Sequence, residues 1–302
     1  MASFGLKVIR GVFGAAEHIA PRLSGRAAFE LFCRTPNVKA LSDGERRAVE
    51  RAAGFMAEAR HHRLKTKTDC VAVHEFRPEP GRGSRGTVLI IHGWRSRTEY
   101  MRTLIEGFRE AGFKVVSLDL PGHGHSLGRR LNMVNAVDAA RVAGEWFGPF
   151  VAAVGHSFGG AIAANAVAAS VKGMPPLAAQ KLVLIAAPSS MPAIFDDFSH
   201  RLNVGPRSRV AMADRVTHLS GRPLSEFTGD RQLAEAPVPT LIIHAPDDRE
   251  VHADHAKRYA EAGDHVRLHW AEGLGHRRIL ADKDVVARAV GFVTEERQSA
   301  LH

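Results

Sequence analysis

Gly155-His156-Ser157-Phe158-Gly159 places a serine in the pattern G-x-S-x-G. A serine hydroxyl is a weak nucleophile until a base takes its proton, so the pattern matters only where a fold presents that hydroxyl. The flanks supply the context. Phe150 to Val154 is an apolar run that reads as a buried strand, and the Ala-rich stretch from Phe158 to Val171 reads as a helix. A sharp strand-to-helix turn lifts the hydroxyl clear of the sheet. At such a turn the residues two before and two after the serine approach closely, and Gly155 and Gly159 stand there. Gly160 lets the helix sit close to the strand. The helix start directs free N–H groups and the positive end of its dipole at the reacting centre. The chemistry supported is nucleophilic attack on an acyl carbon; the plainer reading of the same residues is a structural glycine turn.

A serine nucleophile needs a base and an acid to orient it. The adjacent acids Asp247 and Asp248 follow the apolar run Thr240 to His244, and Gly275-His276 follows Val266 to Trp270. With 17 histidines in the chain, a lone histidine means little without such a setting. His123 and His125 form an H-x-H pair, but no further closely spaced ligands follow it. His252 and His255 share a helix face without an evident third ligand. No dinucleotide or phosphate loop of the usual spacing is present. The expectation is therefore no metal and no cofactor.

The elements that must position these residues alternate. Apolar runs at 71–76, 87–92, 114–118, 150–154, 181–185, 240–244 and 266–270 read as strands. Helix candidates lie at Arg97–Ala111, Asn132–Phe147, Phe158–Val171, Ala253–Ala262 and Asp282–Glu296. Regular strand–helix succession predicts an α/β fold, with a mostly parallel sheet flanked by helices. Two segments break the alternation. Residues 1–66 read as an N-terminal helical extension. In it Ile9, Val12, Phe13, Ala16, Ile19, Ala20 and Leu23 recur at helical spacing. One reading packs this face on the core or over the site; the other lays it on a membrane as a peripheral anchor. Glu17 and the sparse lysines favour packing. The second segment, Pro188 to Pro239, is too long for an ordinary loop and predicts helices of its own.

With these motifs in place, the sequence resembles the α/β-hydrolase superfamily of serine hydrolases, and specifically its bacterial carboxylesterase-like members, over about residues 70–296. The resemblance implies a core of residues 67–187 and 240–302, with 188–239 inserted as a lid. It implies Ser157 as nucleophile, with the acid and then the histidine following in chain order. His276 matches the family base. In relatives the acid stands three residues before a small apolar residue; Val251 fits and selects Asp248, leaving Asp247 to bond the local backbone. His92-Gly93-Trp94 matches the loop that supplies one oxyanion donor, the Trp94 N–H, with the Phe158 N–H as the other. His92 itself would orient that loop. The triple-glycine form of the loop is absent. Asp119-Leu120-Pro121-Gly122-His123-Gly124 matches the family's D-x-P-G-x-G loop. A serine nucleophile argues against the haloalkane dehalogenase and epoxide hydrolase branches. The implied activity is hydrolysis of a carboxylic ester. Acyl transfer, thioester or amide hydrolysis and C–C hydrolysis share the same triad, and a non-catalytic binding module would share the fold.

Composition fits this picture. The chain has 302 residues, 45% apolar and 24% charged, which is ordinary for a globular protein and excludes disorder and collagen. Its net charge of +9 comes mostly from arginine, with 32 Arg against nine Lys. The densest basic patch, Arg60 to Lys67, lacks interleaved aromatics and reads as a solvated face, so no nucleic-acid partner is expected. A basic surface-binding protein would instead show salt-dependent association with anionic polymers or vesicles. The two cysteines, Cys33 and Cys70, suggest no disulfide framework. No run approaches a membrane span, so a soluble, cytoplasmic enzyme acting on a small acyl substrate is expected.

Overall fold

The computed structural model describes residues 4–37 and 40–295. The sheet contains β1 (Arg60–Lys65), β2 (Cys70–Phe76), β3 (Thr87–Ile91), β4 (Lys114–Leu118), β5 (Ala152–His156), β6 (Leu182–Ile185), β7 (Thr240–His244) and β8 (Val266–Trp270). Across it the order is β1-β2-β4-β3-β5-β6-β7-β8. β1 and β2 pair antiparallel, as do β2 and β4; the pairings from β4 to β8 are parallel. The inner strands are buried on both faces, which is why they read as continuous apolar runs.

The helices are α1 (Phe4–Ile19), α2 (Pro21–Cys33), α3 (Asp43–Arg51), α4 (Ala53–Ala57), α5 (Arg102–Glu110), α6 (Met133–Phe147), α7 (Phe158–Val167), α8 (Met191–Leu202), α9 (Pro206–Ser220), α10 (Gly229–Glu235), α11 (Asp254–Ala260), α12 (Gly275–Arg278) and α13 (Lys283–Thr294). Period-two alternation along the strands divides the core. Leu89, Ile91, Leu182 and Leu184 join α6, α7 and α11 on one face. Val88, Ile90, Val183 and Ile185 join α4, α5 and α13 on the other. Residues 188–239 hold α8, α9 and α10 between β6 and β7, the helical insertion expected there.

Three expectations are corrected. Arg60–Lys65 is a strand rather than part of a helical stretch, and its basic side chains face solvent. Its register sets Leu64 against Val71 and His61 against His74. Leu64 is the strand's buried side chain, so an edge strand rich in charge gave little apolar signal. The helix after Ser157 stops at Val167, because Ala169 takes φ 50°. The apolar face expected for the first helix packs on the core only through Phe13. Phe13 is buried, but Ile9, Val12, Ile19 and Leu23 are exposed. The last helix was expected to run to Glu296, which lies outside the described residues.

The extension is fastened by a polar contact. Glu17 is buried and its carboxylate accepts the Arg207 amide at 2.8 Å, the Ser208 amide at 3.0 Å and the Ser208 hydroxyl at 2.6 Å. It thereby takes up free N–H groups at the start of α9. Burial would raise the Glu17 carboxyl, but these hydrogen bonds outweigh it and hold the pKa below its ordinary value. Arg10 donates to the His200 and Arg201 carbonyls at the end of α8. No helix of the described residues is long and apolar enough to cross a membrane.

Candidate active site

Ser157 lies between β5 and α7 with φ 53° and ψ −127°, a left-handed conformation that a non-glycine residue adopts at a cost of roughly 1–3 kcal/mol. The turn leaves no room around it. A methyl group on Gly155 would sit 2.4 Å from the Gly159 carbonyl carbon, and one on Gly159 would sit 2.2 Å from the Ile91 oxygen. A methyl group on Gly93 would approach Ser157 Cβ to 2.8 Å, so the loop after β3 lies directly on the serine.

That loop is held by His92. Its Nδ1–H donates to the Gly93 carbonyl at 2.8 Å, and its Nε2 accepts the Leu120 amide at 3.0 Å. The Trp94 and Phe158 amides have no acceptor among the described residues and remain available as donors. The two rings meet edge to face, 6.4 Å apart.

On the far side, α12 opens with Gly275-His276. His276 Nδ1 donates to Asp248 Oδ2 at 2.7 Å. Asp248 Oδ1 accepts the Glu250 and Val251 amides at 2.8 and 2.9 Å. Burial would raise the Asp248 carboxyl, but the His276 bond and these amides outweigh it and hold the pKa below its ordinary value. The local backbone bonds expected of Asp247 therefore belong to Asp248. Asp247 instead accepts the Gly275 amide at 3.3 Å. Ser157 Oγ makes no hydrogen bond to a described residue, and such contacts often tighten only when substrate is bound.

Two histidines with no role in the motif support the site. His156 Nε2 donates to the His276 carbonyl at 2.9 Å, with ring centroids 4.9 Å apart, linking the residue before the serine to the α12 turn. Burial, reinforced by His276, lowers the His156 pKa to about 3, so it is neutral at pH 7. His244 Nε2 donates to the Val251 carbonyl at 2.9 Å and braces the loop that carries Asp248. Both lie in buried β-strands, where the sequence suggests packing.

The H-x-H pair is divided. His123 Nδ1 donates to the Pro121 carbonyl at 3.1 Å and its Nε2 accepts the Arg95 amide at 3.1 Å. His125 turns to Asp119. The ligand-type atoms of His74, Asp119 and His125 lie within 4.8 Å of one another. Asp119 is already saturated, however. It accepts the Thr98 amide and hydroxyl at 2.9 Å, the His125 amide at 2.8 Å, and the His74 and His125 rings at 3.1 and 3.3 Å. These bonds account for the cluster as a brace of the loop after β4. His255 Nδ1 accepts the Ser189 amide at 3.1 Å, whereas His252 is exposed beside Asp254, so that pair is also separated.

An apolar cleft, partly open to solvent, adjoins the serine turn through Phe158. Met191, Phe195, Val216, Leu219, Leu224 and Phe227 line it from the insertion, and Met133 from α6. Phe29 and Phe32 complete the wall from α2, with Phe32 4.5 Å from Phe195 and 5.1 Å from Phe198 between ring centroids. Their contribution follows from tertiary packing and has no motif to announce it.

Residues 88–289 match the family model described as the alpha/beta hydrolase family. No curated protein matches the sequence. Among solved structures, the chain resembles a bacterial membrane phospholipase A described as a virulence factor (18% identity, TM-score 0.59, 82% of this chain and 89% of that one). It also resembles a putative lipase from Acinetobacter baumannii AYE (18% identity, TM-score 0.59, 82% and 95%). A third similar structure is Est1E from Butyrivibrio proteoclasticus with ferulic acid bound (15% identity, TM-score 0.59, 78% and 100%).

Proposed function

The chain belongs to the α/β-hydrolase family, and from that premise we propose that it is a serine hydrolase acting on a carboxylic ester through Ser157, His276 and Asp248. The observation that carries the proposal is the 2.7 Å His276–Asp248 bond beside a serine held at φ 53°. Asp248 fixes the His276 tautomer with Nδ1 protonated, which leaves Nε2 free to accept a proton. In the proposed reaction Ser157 Oγ attacks the acyl carbon as His276 takes its proton. The ester C–O bond breaks, and His276 returns the proton to the leaving alcohol. A water molecule, deprotonated by His276, attacks the acyl-enzyme. The carboxylic acid departs and the proton returns to Ser157. The Trp94 and Phe158 amides stabilise the oxyanion formed at each attack; losing one such donor typically costs ~10²–10³ in rate.

The cleft supports an apolar acyl group as the part of the substrate bound beside the serine. In this reading residues 188–239 form the lid, α1 and α2 of the N-terminal extension back it, and the hydrolase core comprises 67–187 and 240–295 together with β1, which the extension contributes to the sheet. The test is incubation with a fluorophosphonate probe followed by peptide mapping. A single adduct on Ser157, lost in His276→Ala, is expected. A folded protein that takes no adduct after removal of the lid would sink the proposal and leave a binding module of the same fold.

A further inference from the structure

The first helix buries Glu17 and Phe13 against the protein and turns a second apolar face outward. Phe4, Val8, Val12 and Ile19 are 83%, 49%, 61% and 84% exposed. At 3.6 residues per turn they fall within an arc of about 80°. Leu23, at the start of α2, continues the patch at 65% exposure. Exposed apolar surface of this extent, concentrated on one element, marks an interaction site.

Charge identifies the occupant. Over residues 4–29 the one acid is Glu17, and it is buried against α9. Lys7, Arg22 and Arg26 are exposed and form no ion pair among the described residues. An apolar stripe flanked by bases suits the boundary between anionic headgroups and acyl chains. A second copy suits it poorly. Two-fold pairing sets a patch against itself, and this patch has no exposed acid to meet its bases. We propose that α1 and the start of α2 dock the protein on an anionic lipid surface. Farther along α2, Phe29 and Phe32 line the cleft beside Ser157, so the docking surface and the cleft share a helix.

The test is flotation of the Ser157→Ala protein, which cannot consume lipid by the proposed route, with two kinds of vesicle. One is phosphatidylcholine alone, and the other contains about one third phosphatidylglycerol. The protein should float with the anionic vesicles, and less as salt is raised. Val12→Glu/Ile19→Glu should lower the bound fraction about ten-fold or more, because both side chains are exposed and would carry charge into the interface. Lys7→Glu/Arg22→Glu/Arg26→Glu should remove the preference for anionic vesicles. No flotation, or equal flotation of the variants, would overturn the proposal. So would a dimer in solution that Val12→Glu/Ile19→Glu converts to monomer, since a second copy would then cover the face. The failure of this surface and the failure of the ester-hydrolase proposal are distinguishable, because flotation is read without turnover.

Discussion

Asp248→Asn separates the charge of Asp248 from its structural bonds. One carboxylate oxygen accepts the Glu250 and Val251 amides, and the other accepts His276 Nδ1–H. An asparagine must direct its carbonyl oxygen at the two amides, because its NH₂ group would oppose both donors. The NH₂ group then faces His276. The imidazole can meet it only as an acceptor at Nδ1, which moves the ring proton to Nε2, where it can no longer take the Ser157 proton. In the best-known triad the same change lowers kcat by ~10⁴, or about 5 kcal/mol of transition-state stabilisation. A similar fall is expected here, with the melting temperature within a few degrees of the parent because the backbone bonds survive. Asp247→Asn should stay within about three-fold, since its exposed carboxylate accepts only the Gly275 amide, at 3.3 Å. The assay is kcat and kcat/KM on a short p-nitrophenyl acyl ester, with fluorophosphonate labelling in parallel. Loss of less than ten-fold in Asp248→Asn, or a crippled Asp247→Asn, would refute the tautomer argument and move the acid to Asp247.

Phe32→Ala should extend the cleft and shift preference towards longer acyl esters, by about four-fold in kcat/KM per methylene newly buried; an unchanged chain-length profile would remove Phe32 from the cleft wall. His156, lowered to about 3, is neutral in the folded protein, whereas the unfolded chain takes up a proton near 6.5. Its contribution is therefore complete above the unfolded pKa and is lost as the pH falls below it, by about 2 kcal/mol at pH 5. His156→Gln should flatten that loss in denaturant titrations at pH 7 and pH 5, and equal acid sensitivity would contradict the assignment. Glu17→Gln leaves one donor at α9 opposed by an amide nitrogen and should cost about 2 kcal/mol at pH 7, read as a lower melting temperature. Because the Glu17 pKa is lowered in the folded protein, its charge contributes stability above the ordinary carboxyl range. The parent loses that stability as the pH falls through the folded value, so the gap to the variant should narrow in acid.

The exposed stripe on α1 and the buried Glu17 are two consequences of one arrangement. A helix fixed by a carboxylate at the start of α9 needs little apolar area on its inner face, and its apolar residues are then free to point elsewhere. The same helix pair brings Phe29 and Phe32 to the cleft, which joins the chain's start to a wall of the candidate site.

What the sequence by itself determined is local. Gly155, Ser157 and Gly159 between a buried strand and an Ala-rich helix specify the turn, because no side chain fits at the two glycine positions. The continuous apolar runs specify inner parallel strands, because burial on both faces leaves no place for polar residues. His92-Gly93, the Asp247-Asp248 pair and His276 stood out because each follows a strand where the chain leaves the sheet at one common edge, and the choice of Asp248 within its pair came from the family resemblance. The tertiary structure decided what depends on residues far apart in the chain. Strand β1 was hidden because an edge strand with one buried side chain shows no apolar alternation. Asp248 takes both the His276 bond and the local backbone amides expected of Asp247, because two adjacent carboxylates differ only in which donors the fold brings to them. The H-x-H pair looked like one unit, but ring orientation sent His123 to Arg95 and His125 to Asp119. The face that α1 presents to the protein was set by the Glu17 and Arg10 hydrogen bonds together with Phe13, because helical periodicity identifies an apolar face without saying what it faces.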